Sequence, residues 1–390
     1  MNKSDVIVIG AGAVGSATAY YLSREGKTVT VLEKKDSCMG TGGATGGLLS
    51  WFTKKPGYHL NLFLRSRLLF PELAEELEGD IGLQYDVGTL QIIENDLEYE
   101  LVQKSMERDD IPEGFSLEML DHAQLHEIEP YMSPDLTNAL YIPQSGYIDV
   151  FKYIYTLVAN AKRLGAVFCN ETEVTGFLTK GNRVTGVQTN RGEFYADTVV
   201  NCAGTWGGKI AAMLGYDTLP IRPRRGQIVA MEPCSPRVMH MITSSSYQTV
   251  KFHPELITDE TIKRTGYTFA LEQTEAGTIL INGTREFAEF DKGISFDGIR
   301  LMIQGAAKVY PCLKDLHVMR MFAGLRPYTP DGLPIVGPLG DLEGFLMACG
   351  HEGDGIALSP ITGRIVTDLI CQGQAAFDIN PLSSQRFLTH

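Results

Sequence analysis

Residues 5–33, "DVIVIGAGAVGSATAYYLSREGKTVTVLE", decide the fold. The apolar run "VIVI" predicts a buried strand, and apolar residues then recur at helical spacing up to Gly26. The run "TVTVL" predicts a second strand. Gly10, Gly12 and Gly15 lie where the first strand meets the helix, so the stretch is a strand–helix–strand unit with a glycine-rich turn.

The three glycines match the G-x-G-x-x-G pattern of dinucleotide-binding turns. Gly10 permits the tight turn, Gly12 lets backbone approach a pyrophosphate, and Gly15 lets the helix pack on the strand. Glu33 ends the second strand, where an acidic residue accepts hydrogen bonds from a ribose diol. The pattern therefore predicts a dinucleotide site. Further residues expected at the cofactor are Ala13, Val14 and Lys34.

The segment that follows, "KKDSCMGTGGATGGLLS" (residues 34–50), favours FAD over NAD. A typical NAD domain continues with alternating strands and helices, whereas this loop is rich in glycine and threonine. It offers many backbone N–H groups and little bulk, which suits a second pass along the pyrophosphate, ribitol and ring. A flexible surface loop has a similar composition, but the apolar exit "GGLLSWF" argues against that alternative. Gly43 and Ala44 are expected at the cofactor.

Length, charge and cysteine content set further limits. A chain of 390 residues exceeds the usual size of a single core, so two domains are expected. The net charge of −13 argues against nucleic acid as a partner. The apolar runs are much shorter than a membrane span, and the absence of a leader before the first strand indicates a cytoplasmic protein. The cysteines form no CxxC pair, so neither a zinc site nor an iron–sulfur cluster is predicted.

The alternation of patterns predicts an α/β protein with two domains. A Rossmann-like, discontinuous FAD-binding domain is expected from residues 1–50, 148–225 and 322–390. A substrate domain is expected from residues 51–147 and 226–321. Segments of the second domain such as "GQIVAM" and "GTILINGT" alternate like antiparallel strands, so its sheet is expected to be antiparallel.

Several motifs in order resemble the D-amino-acid oxidase superfamily of flavoproteins over nearly the whole chain. They are "ATGGLLS", "VVNCAGTWGG", "RPRRGQ", "GLRPYTPDGLPIVG" and "CGHEGDGIALSPITG", together with the N-terminal unit. The most similar subgroup comprises flavin-bearing subunits of amino-acid dehydrogenases, such as D-hydroxyproline dehydrogenase, opine oxidase and hydrogen cyanide synthase. The sarcosine oxidase β subunit and glycine oxidase are slightly further away.

The resemblance implies a role for each matching residue along the cofactor. Val174 would hold the adenine through its backbone. Ala203 and Gly204 would pass beneath the diphosphate and ribose, with Trp206 beside them. The residues implied at the isoalloxazine are Thr45, Gly46, Gly47 and Leu48. Those implied at its reacting end are Gly324, Arg326, His351, Gly353, Asp354, Gly355 and Ile356.

Two departures from the family pattern concern the cofactor and partners. Members with covalent flavin carry a cysteine seven residues before the Asp of "TPD", and Gly324 occupies that position here. Non-covalent FAD is therefore expected. Since the chain has no cluster motif, an iron–sulfur or second flavin centre that accepts its electrons would belong to a partner subunit.

Arg326 is the candidate receptor for a substrate carboxylate. Two prolines and a turn at residues 331–332 follow it, and a rigid guanidinium binds a carboxylate in bidentate fashion. The alternative is a structural arginine paired with Asp331. Other basic candidates, which serve the fold equally well, are Arg222, Arg224, Arg225 and Arg285. The resemblance also puts Tyr267 and Phe269 on the wall of the substrate pocket, although core packing explains them as readily.

The stretch "CGHEGDGIALSP" (residues 349–360) groups a histidine with two carboxylates. It does not match the HExxH metal motif, because Gly355 stands where the second histidine is required. We therefore predict no metal site and expect a glycine turn that feeds a helix beginning near Gly355, with its positive end toward the flavin. His351 is the side chain there that we expect to contact substrate or flavin.

The predicted function is the FAD-dependent oxidation of an amino or imino acid. A secondary amine or D-amino acid would become an imine by hydride transfer to flavin N5, in a chain that could serve as the flavin subunit of a larger dehydrogenase. Two alternatives stay open. One is an FAD-dependent 2-hydroxy-acid or glycerol-3-phosphate dehydrogenase, and the other is a non-catalytic subunit that relays electrons.

Overall fold

The computed structural model describes residues 3–85 and 87–388. The helices are α1 (Ala13–Arg24), α2 (Tyr58–Glu76), α3 (Asp96–Met106), α4 (His122–Ile128), α5 (Val150–Arg163), α6 (Gly207–Ala212), α7 (Ser246–Phe252), α8 (Glu260–Thr265), α9 (Phe296–Val309) and α10 (Ser359–Gln372). The strands up to the middle of the chain are β1 (Lys3–Ile9), β2 (Val29–Leu32), β3 (Leu48–Leu49), β4 (Leu83–Gln84), β5 (Thr89–Ile93), β6 (Glu118–Leu120), β7 (Asn138–Ile142), β8 (Gly146–Ile148) and β9 (Val167–Cys169). The later strands are β10 (Val174–Lys180), β11 (Arg183–Thr189), β12 (Gly192–Asn201), β13 (Arg222–Pro233), β14 (Met241–Ser244), β15 (Ala270–Gln273), β16 (Thr278–Asn282), β17 (Val318–Tyr328), β18 (Ile335–Pro338) and β19 (Phe345–Cys349).

The first sheet is the core of a Rossmann-like domain. Strands β9, β2, β1, β12 and β19 lie side by side and are all parallel, while β10 and β11 extend the sheet in antiparallel fashion from β12. Helices α5 and α10 pack against α1, which is buried along most of its length. The predicted strand–helix–strand unit is therefore the centre of this domain.

The second sheet has the order β17-β13-β16-β15-β14-β5-β7-β6 and is antiparallel except between β14 and β5. One face packs on α9 and forms a separate hydrophobic core that includes Val229, Ile242, Leu271 and Ile281. Because side chains alternate along a strand, the residues between these point to the opposite face. A mixed α/β fold with a Rossmann-like domain and a largely antiparallel second sheet confirms the predicted fold class.

The two sheets do not divide at the expected residue numbers. Strand β13 begins at Arg222 and pairs with β17 as far as Tyr328, so both belong to the second sheet along their whole length. The expected boundaries at 225/226 and 321/322 instead cut these two strands. A small third sheet, β3-β8-β4, lies next to the glycine-rich loop. Within the described ranges, no helix has both the length and the apolarity that crossing a membrane requires.

Candidate functional site

A cavity of about 570 Å³ lies where the parallel strands of the first sheet end. Its walls come from the segments that follow β1, β2, β12 and β19, and the carboxyl ends of parallel strands are where α/β folds bind ligands. Of the predicted cofactor residues, those that line it are Gly10, Gly12, Ala13, Val14, Glu33, Lys34, Ala44, Thr45, Val174, Ala203, Gly204, Trp206, Arg326, His351, Gly353, Gly355 and Ile356. Those that do not are Gly15, Gly43, Gly46, Gly47, Leu48, Gly324 and Asp354.

The glycines of the first turn have different physical roles. Gly10 has φ +101°, and a Cβ there would lie 2.8 Å from the Cys202 carbonyl oxygen. A Cβ on Gly15 would lie 1.9 Å from the Gly10 carbonyl oxygen, so Gly15 allows the helix to pack on the strand. A Cβ on Gly12 would meet no protein atom within 4 Å. Gly12 therefore leaves space on the cavity side for a ligand.

Glu33 is held rigidly at the end of β2. Its two carboxylate oxygens accept hydrogen bonds from the Ala11 amide and from the Lys35 amide, each at 2.9 Å. The side chain still lines the cavity, as does Val174 at the start of β10. This end of the cavity therefore has the acidic group and the backbone that an adenosine moiety requires.

The glycine-rich loop is packed against the second domain, which argues against the surface-loop alternative. The Thr41 hydroxyl donates to the Leu325 carbonyl at 2.6 Å and so ties the loop to β17. A Cβ on Gly47 would lie 1.9 Å from the Ile148 carbonyl oxygen, and one on Gly324 would lie 2.7 Å from that of Ala44. These glycines lie behind the cavity wall and let the loop fit between the two domains.

Arg326 lies at the other end of the cavity. It is opposite Arg224 across the β13–β17 pair, and its guanidinium donates to the Thr284 carbonyl at 2.8 Å. A Cβ on Gly226 would lie 2.2 Å from the guanidinium, so this glycine leaves the space that the guanidinium occupies. Burial, together with the neighbouring cation Arg285, lowers the pKa of Arg326 to about 10, which still leaves it charged at neutral pH. The alternative pairing with Asp331 is absent from the described structure.

Glu352 neutralises part of this positive charge. It lies at φ 50° in the turn after β19 and forms an ion pair with Arg224. Burial opposes its ionisation, but the charges of Arg224 and Arg326 prevail and lower the pKa of Glu352 to about 2. Lys251 adds another cation nearby and donates to the Thr53 carbonyl at 2.9 Å. This end of the cavity is therefore a dense network of charged side chains.

Asp354 is part of a buried network rather than of the cavity wall. Its carboxylate lies 2.5 Å from Lys54 Nζ, whose side chain is 4% exposed, and 3.1 Å from His59 Nε2. Burial alone would raise the pKa of Asp354, but Lys54 and His59 hold it well below its usual value. The residue expected at the reacting end instead fixes the turn on which His351 lies.

His351 lines the cavity and is almost fully buried. Its Nε2 lies 3.0 Å from the Thr362 hydroxyl, and burial lowers its pKa to about 4, so it is neutral at physiological pH. Helix α10 begins at Ser359, four residues after the predicted start near Gly355. Residues 351–358 form turns instead, because the ion pairs of this segment hold it in a non-helical path. No cluster of three potential metal-ligating side chains occurs in residues 3–85 and 87–388.

Tyr267 and Phe269 do not reach the cavity. Both belong to the second hydrophobic core, where Phe269 is 2% exposed. A Cβ on Gly305 of α9 would lie 2.1 Å from the Tyr267 hydroxyl, so the ring points at this helix. These two side chains therefore belong to the core beneath α9 and do not line the described cavity.

Several cavity residues were not predicted. Most of them lie beside predicted residues in the first domain, whereas one comes from the second domain and reaches the cavity because the two domains pack together. One is Lys292 of the second domain, whose pKa is lowered by burial and by Lys35, and whose ammonium lies 5.9 Å from the centre of the Trp206 ring. Others are Met39, Thr41, Thr172, Lys209 and Met213.

The cavity fits FAD in size and in the character of its two ends. Its volume lies within the range of roughly 300–1,000 Å³ that is usual for small-molecule sites. Glu33 and Val174 lie at one end, and Arg326 and His351 lie at the other. Between them, the open side of Gly12 leaves room for a pyrophosphate beside the start of α1.

Comparison with known proteins agrees with this geometry. The family model for FAD dependent oxidoreductases (DAO) matches residues 5–369. The chain belongs to this family. This FAD-dependent oxidoreductase is 29% identical to hydrogen cyanide synthase subunit HcnC of Pseudomonas aeruginosa, over 99% of the chain and 97% of the relative. It is 28% identical to glycine oxidase of Geobacillus kaustophilus, over 99% and 98%.

Solved structures give the same result. The crystal structure of L-proline dehydrogenase from P. horikoshii superposes with a TM-score of 0.85 at 27% identity, covering 99% of this chain and 98% of that one. Glycine oxidase from Geobacillus kaustophilus superposes with a TM-score of 0.86 at 27% identity over the whole of both chains. The predicted family and its oxidoreductase class are thereby confirmed.

Proposed function

We propose that this FAD-dependent oxidoreductase oxidises an amino or imino acid, either a secondary amine or a D-amino acid, to the corresponding imine. Relatives named glycine oxidase and L-proline dehydrogenase, which match along nearly the whole chain, support a substrate of this class. The observation that carries the proposal is Arg326, a charged guanidinium at one end of the cofactor cavity.

Arg326 is suited to hold a substrate carboxylate. Its position is fixed by the Thr284 carbonyl on one side and by the backbone of Gly226 below, so little side-chain entropy is lost when a ligand binds. The nearby Glu352 does not compete for it, because that carboxylate is paired with Arg224. A carboxylate bound in this way fixes the position of the α-carbon, which lowers the barrier through orientation.

The cofactor and the protein divide the chemistry between them. Bound FAD supplies an acceptor for the hydride that leaves the substrate α-carbon. The protein side chains bind and orient the substrate: Arg326 holds the carboxylate, and neutral His351, fixed against Thr362, presents an uncharged wall. The amine must lose its proton before the hydride leaves, and binding of the neutral amine suffices for this step.

FAD is bound without a covalent link in this proposal. Gly324 replaces the cysteine of covalent members, and a side chain there would collide with Ala44, which lies 2.7 Å from the Cβ position. Precipitation with acid should therefore release all of the flavin into the supernatant. Flavin that stays with the protein pellet would overturn this part of the proposal.

The chain is the flavin subunit of a multi-subunit dehydrogenase in the same proposal. The relative HcnC, which is named as a subunit of hydrogen cyanide synthase, supports this arrangement. An iron–sulfur or second flavin subunit would then accept the electrons. The anaerobically reduced protein should be reoxidised quickly by an artificial electron acceptor and slowly by oxygen. Rapid reoxidation by oxygen alone would indicate an oxidase.

Anaerobic reduction of the flavin tests the proposed reaction. The purified yellow protein is mixed with a panel of D-, L- and N-alkyl amino acids, 2-hydroxy acids and glycerol 3-phosphate, and bleaching of the flavin is followed. At least one amino or imino acid should reduce it. Reduction only by hydroxy acids or glycerol 3-phosphate would favour the alternative dehydrogenases. A flavin that no compound reduces would favour an electron-relay subunit.

A further inference from the structure

Glu272 lies on the face of the second sheet that is turned toward the glycine-rich loop. Its neighbour Leu271 packs into the core beneath α9, so the alternation of β15 points Glu272 to the opposite face. There its carboxylate lies against the backbone of Gly46, since a Cβ built on that glycine would be 2.6 and 2.7 Å from the two oxygens. Thr45, the preceding residue of the loop, lines the cofactor cavity.

The carboxylate of Glu272 is buried without a hydrogen-bond or ion-pair partner among the described residues. The residue is 2% exposed, and neither oxygen makes a hydrogen bond of normal geometry within the described residues. Leaving a buried carboxylate unpaired is costly, so such a group in a folded protein requires an explanation. The other carboxylates near Arg326 are engaged, Glu352 with Arg224 and Asp354 with Lys54.

The described groups that face Glu272 do not supply a positive charge. Burial raises the pKa of Glu272 to about 7, the Gly47 amide lowers it in part, and the carboxylate of Asp149 raises it further. Tyr147, on β8, faces it from the same side, and the negative charge of Glu272 in turn raises the pKa of that phenol. A cation that enters this site would therefore find an acceptor that is ready to ionise.

Other acceptors lie on the same face of the sheet. Thr89 and Gln91 alternate in β5 with residues of the core, and the Thr89 hydroxyl and the Gln91 side-chain carbonyl are also buried without a hydrogen-bond partner. Strand β5 pairs with β14, which in turn pairs with β15. Unpartnered polar atoms on the same face of two strands that flank β14 indicate a surface that is built to bind a donor.

The distance between Glu272 and the Arg326 guanidinium follows from the strand register. The guanidinium lies at Thr284, just beyond β16, whereas Glu272 pairs with Leu280 in the same strand. Four residues of extended chain separate these rows by about 13 Å. An α-amino group lies next to its own carboxylate and cannot span that gap. An amine at the end of a side chain of four or five atoms can.

We propose that Glu272 binds a cationic group at the end of the substrate side chain, so that the enzyme prefers basic amino acids. This inference rests on the proposed function and refines its substrate class. Arg326 holds the carboxylate, and Glu272 pairs with a terminal ammonium about 13 Å away on the same face of the sheet.

Matched substrates in the holoenzyme test this inference. Lysine is compared with norleucine, and ornithine with norvaline, because each pair differs only by the terminal amine. The wild type should favour the basic member at least tenfold in kcat/KM for flavin reduction. Glu272→Gln should abolish this preference, because it should lower the efficiency with lysine and ornithine much more than that with norleucine and norvaline. Glu275→Gln, in the exposed part of the same hairpin, is the control and should behave like the wild type.

The pH profile and ligand binding provide independent readouts. The preference for lysine over norleucine should rise with pH through about 7, as Glu272 ionises, and should be flat in Glu272→Gln. Binding of the enantiomer that is not oxidised can be followed by the change in flavin absorbance. Its dissociation constant should be lower for the lysine enantiomer than for the norleucine enantiomer.

Two results would overturn the inference. One is a wild type without preference for the basic member. The other is a Glu272→Gln variant whose kcat/KM falls equally for norleucine and lysine, since this would mean that Glu272 acts on the α-amine and not on the terminal amine. In both cases, flavin reduction by neutral amino acids would leave the proposed function standing.

Discussion

The two ends of the cavity are built in different ways. The dinucleotide end uses backbone from one continuous motif, where Gly10 and Gly12 create space and Glu33 follows one strand later. The end around Arg326 uses charged side chains that come from segments far apart in the chain, such as Arg224 and Glu352. A site that binds its ligand through backbone atoms leaves a local sequence signature. A site that binds through side chains leaves none, because its geometry depends on strand register and domain packing.

Asp354→Asn tests whether buried charges stabilise the end of the cavity around Arg326. The change leaves the ammonium of Lys54 buried without its partner, so the free energy of unfolding should fall by about 3–5 kcal/mol. Urea unfolding of the apoprotein measures it. Glu260→Gln, which breaks an exposed ion pair with Lys263, should cost less than about 1 kcal/mol.

The effect of Asp354 also depends on pH. A carboxylate whose pKa is depressed in the fold stabilises the protein above its unfolded pKa and loses that contribution as the pH falls. The difference in unfolding free energy between the wild type and Asp354→Asn should therefore shrink below about pH 4. A difference that stayed constant down to pH 3 would mean that the network is not electrostatic.

Gly15→Ala and Gly12→Ala separate packing from cofactor binding at the dinucleotide end. The methyl group at Gly15 meets the Gly10 carbonyl, so this variant should lose about 1–3 kcal/mol of stability together with FAD affinity. The methyl group at Gly12 meets no protein atom, so that variant should unfold like the wild type and bind FAD at least tenfold more weakly. Apoprotein melting and flavin titration distinguish them. Equal melting of the two variants would contradict the assigned roles.

Lys292→Ala tests whether the second domain contributes a side chain to the cofactor cavity. Loss of one partly exposed cation should weaken FAD binding only a few-fold, and the loss should diminish at high salt. Flavin titration at two ionic strengths measures both effects. Lys314→Ala, which removes an exposed lysine of the same domain, should leave FAD affinity unchanged.

Tyr267→Phe should have the smallest effect. The hydroxyl lies against α9 and not in the cavity, so kcat/KM should stay within about twofold and stability within about 1 kcal/mol. Steady-state kinetics with the best substrate measures the first quantity. A tenfold rise in KM would show that the ring reaches the substrate after all.

The difference between the two ends also explains what the sequence could predict. The glycine motif and Glu33 were predictable because their spacing is a local property of one strand–helix–strand unit. The sequence of the segment "YTFALEQ" did not indicate which side chains face the core, because a shift of one residue turns every side chain of a strand to the other face. Phe269 therefore faces the core, and Glu272 faces the loop.

The most direct test combines Arg326→Ala with removal of the substrate carboxylate. Flavin reduction is measured anaerobically for the wild type and the variant, each with the best amino acid and with the amine that lacks its carboxyl group. Arg222→Ala, at the exposed beginning of the neighbouring strand, is the control and should match the wild type.

In the wild type, loss of the carboxylate should lower the efficiency of reduction about 100-fold, equivalent to about 2.7 kcal/mol. In Arg326→Ala, which should retain its FAD, the same loss should change the efficiency less than about threefold. A variant that still favours the carboxylated substrate 100-fold would contradict the assignment of Arg326 as its receptor.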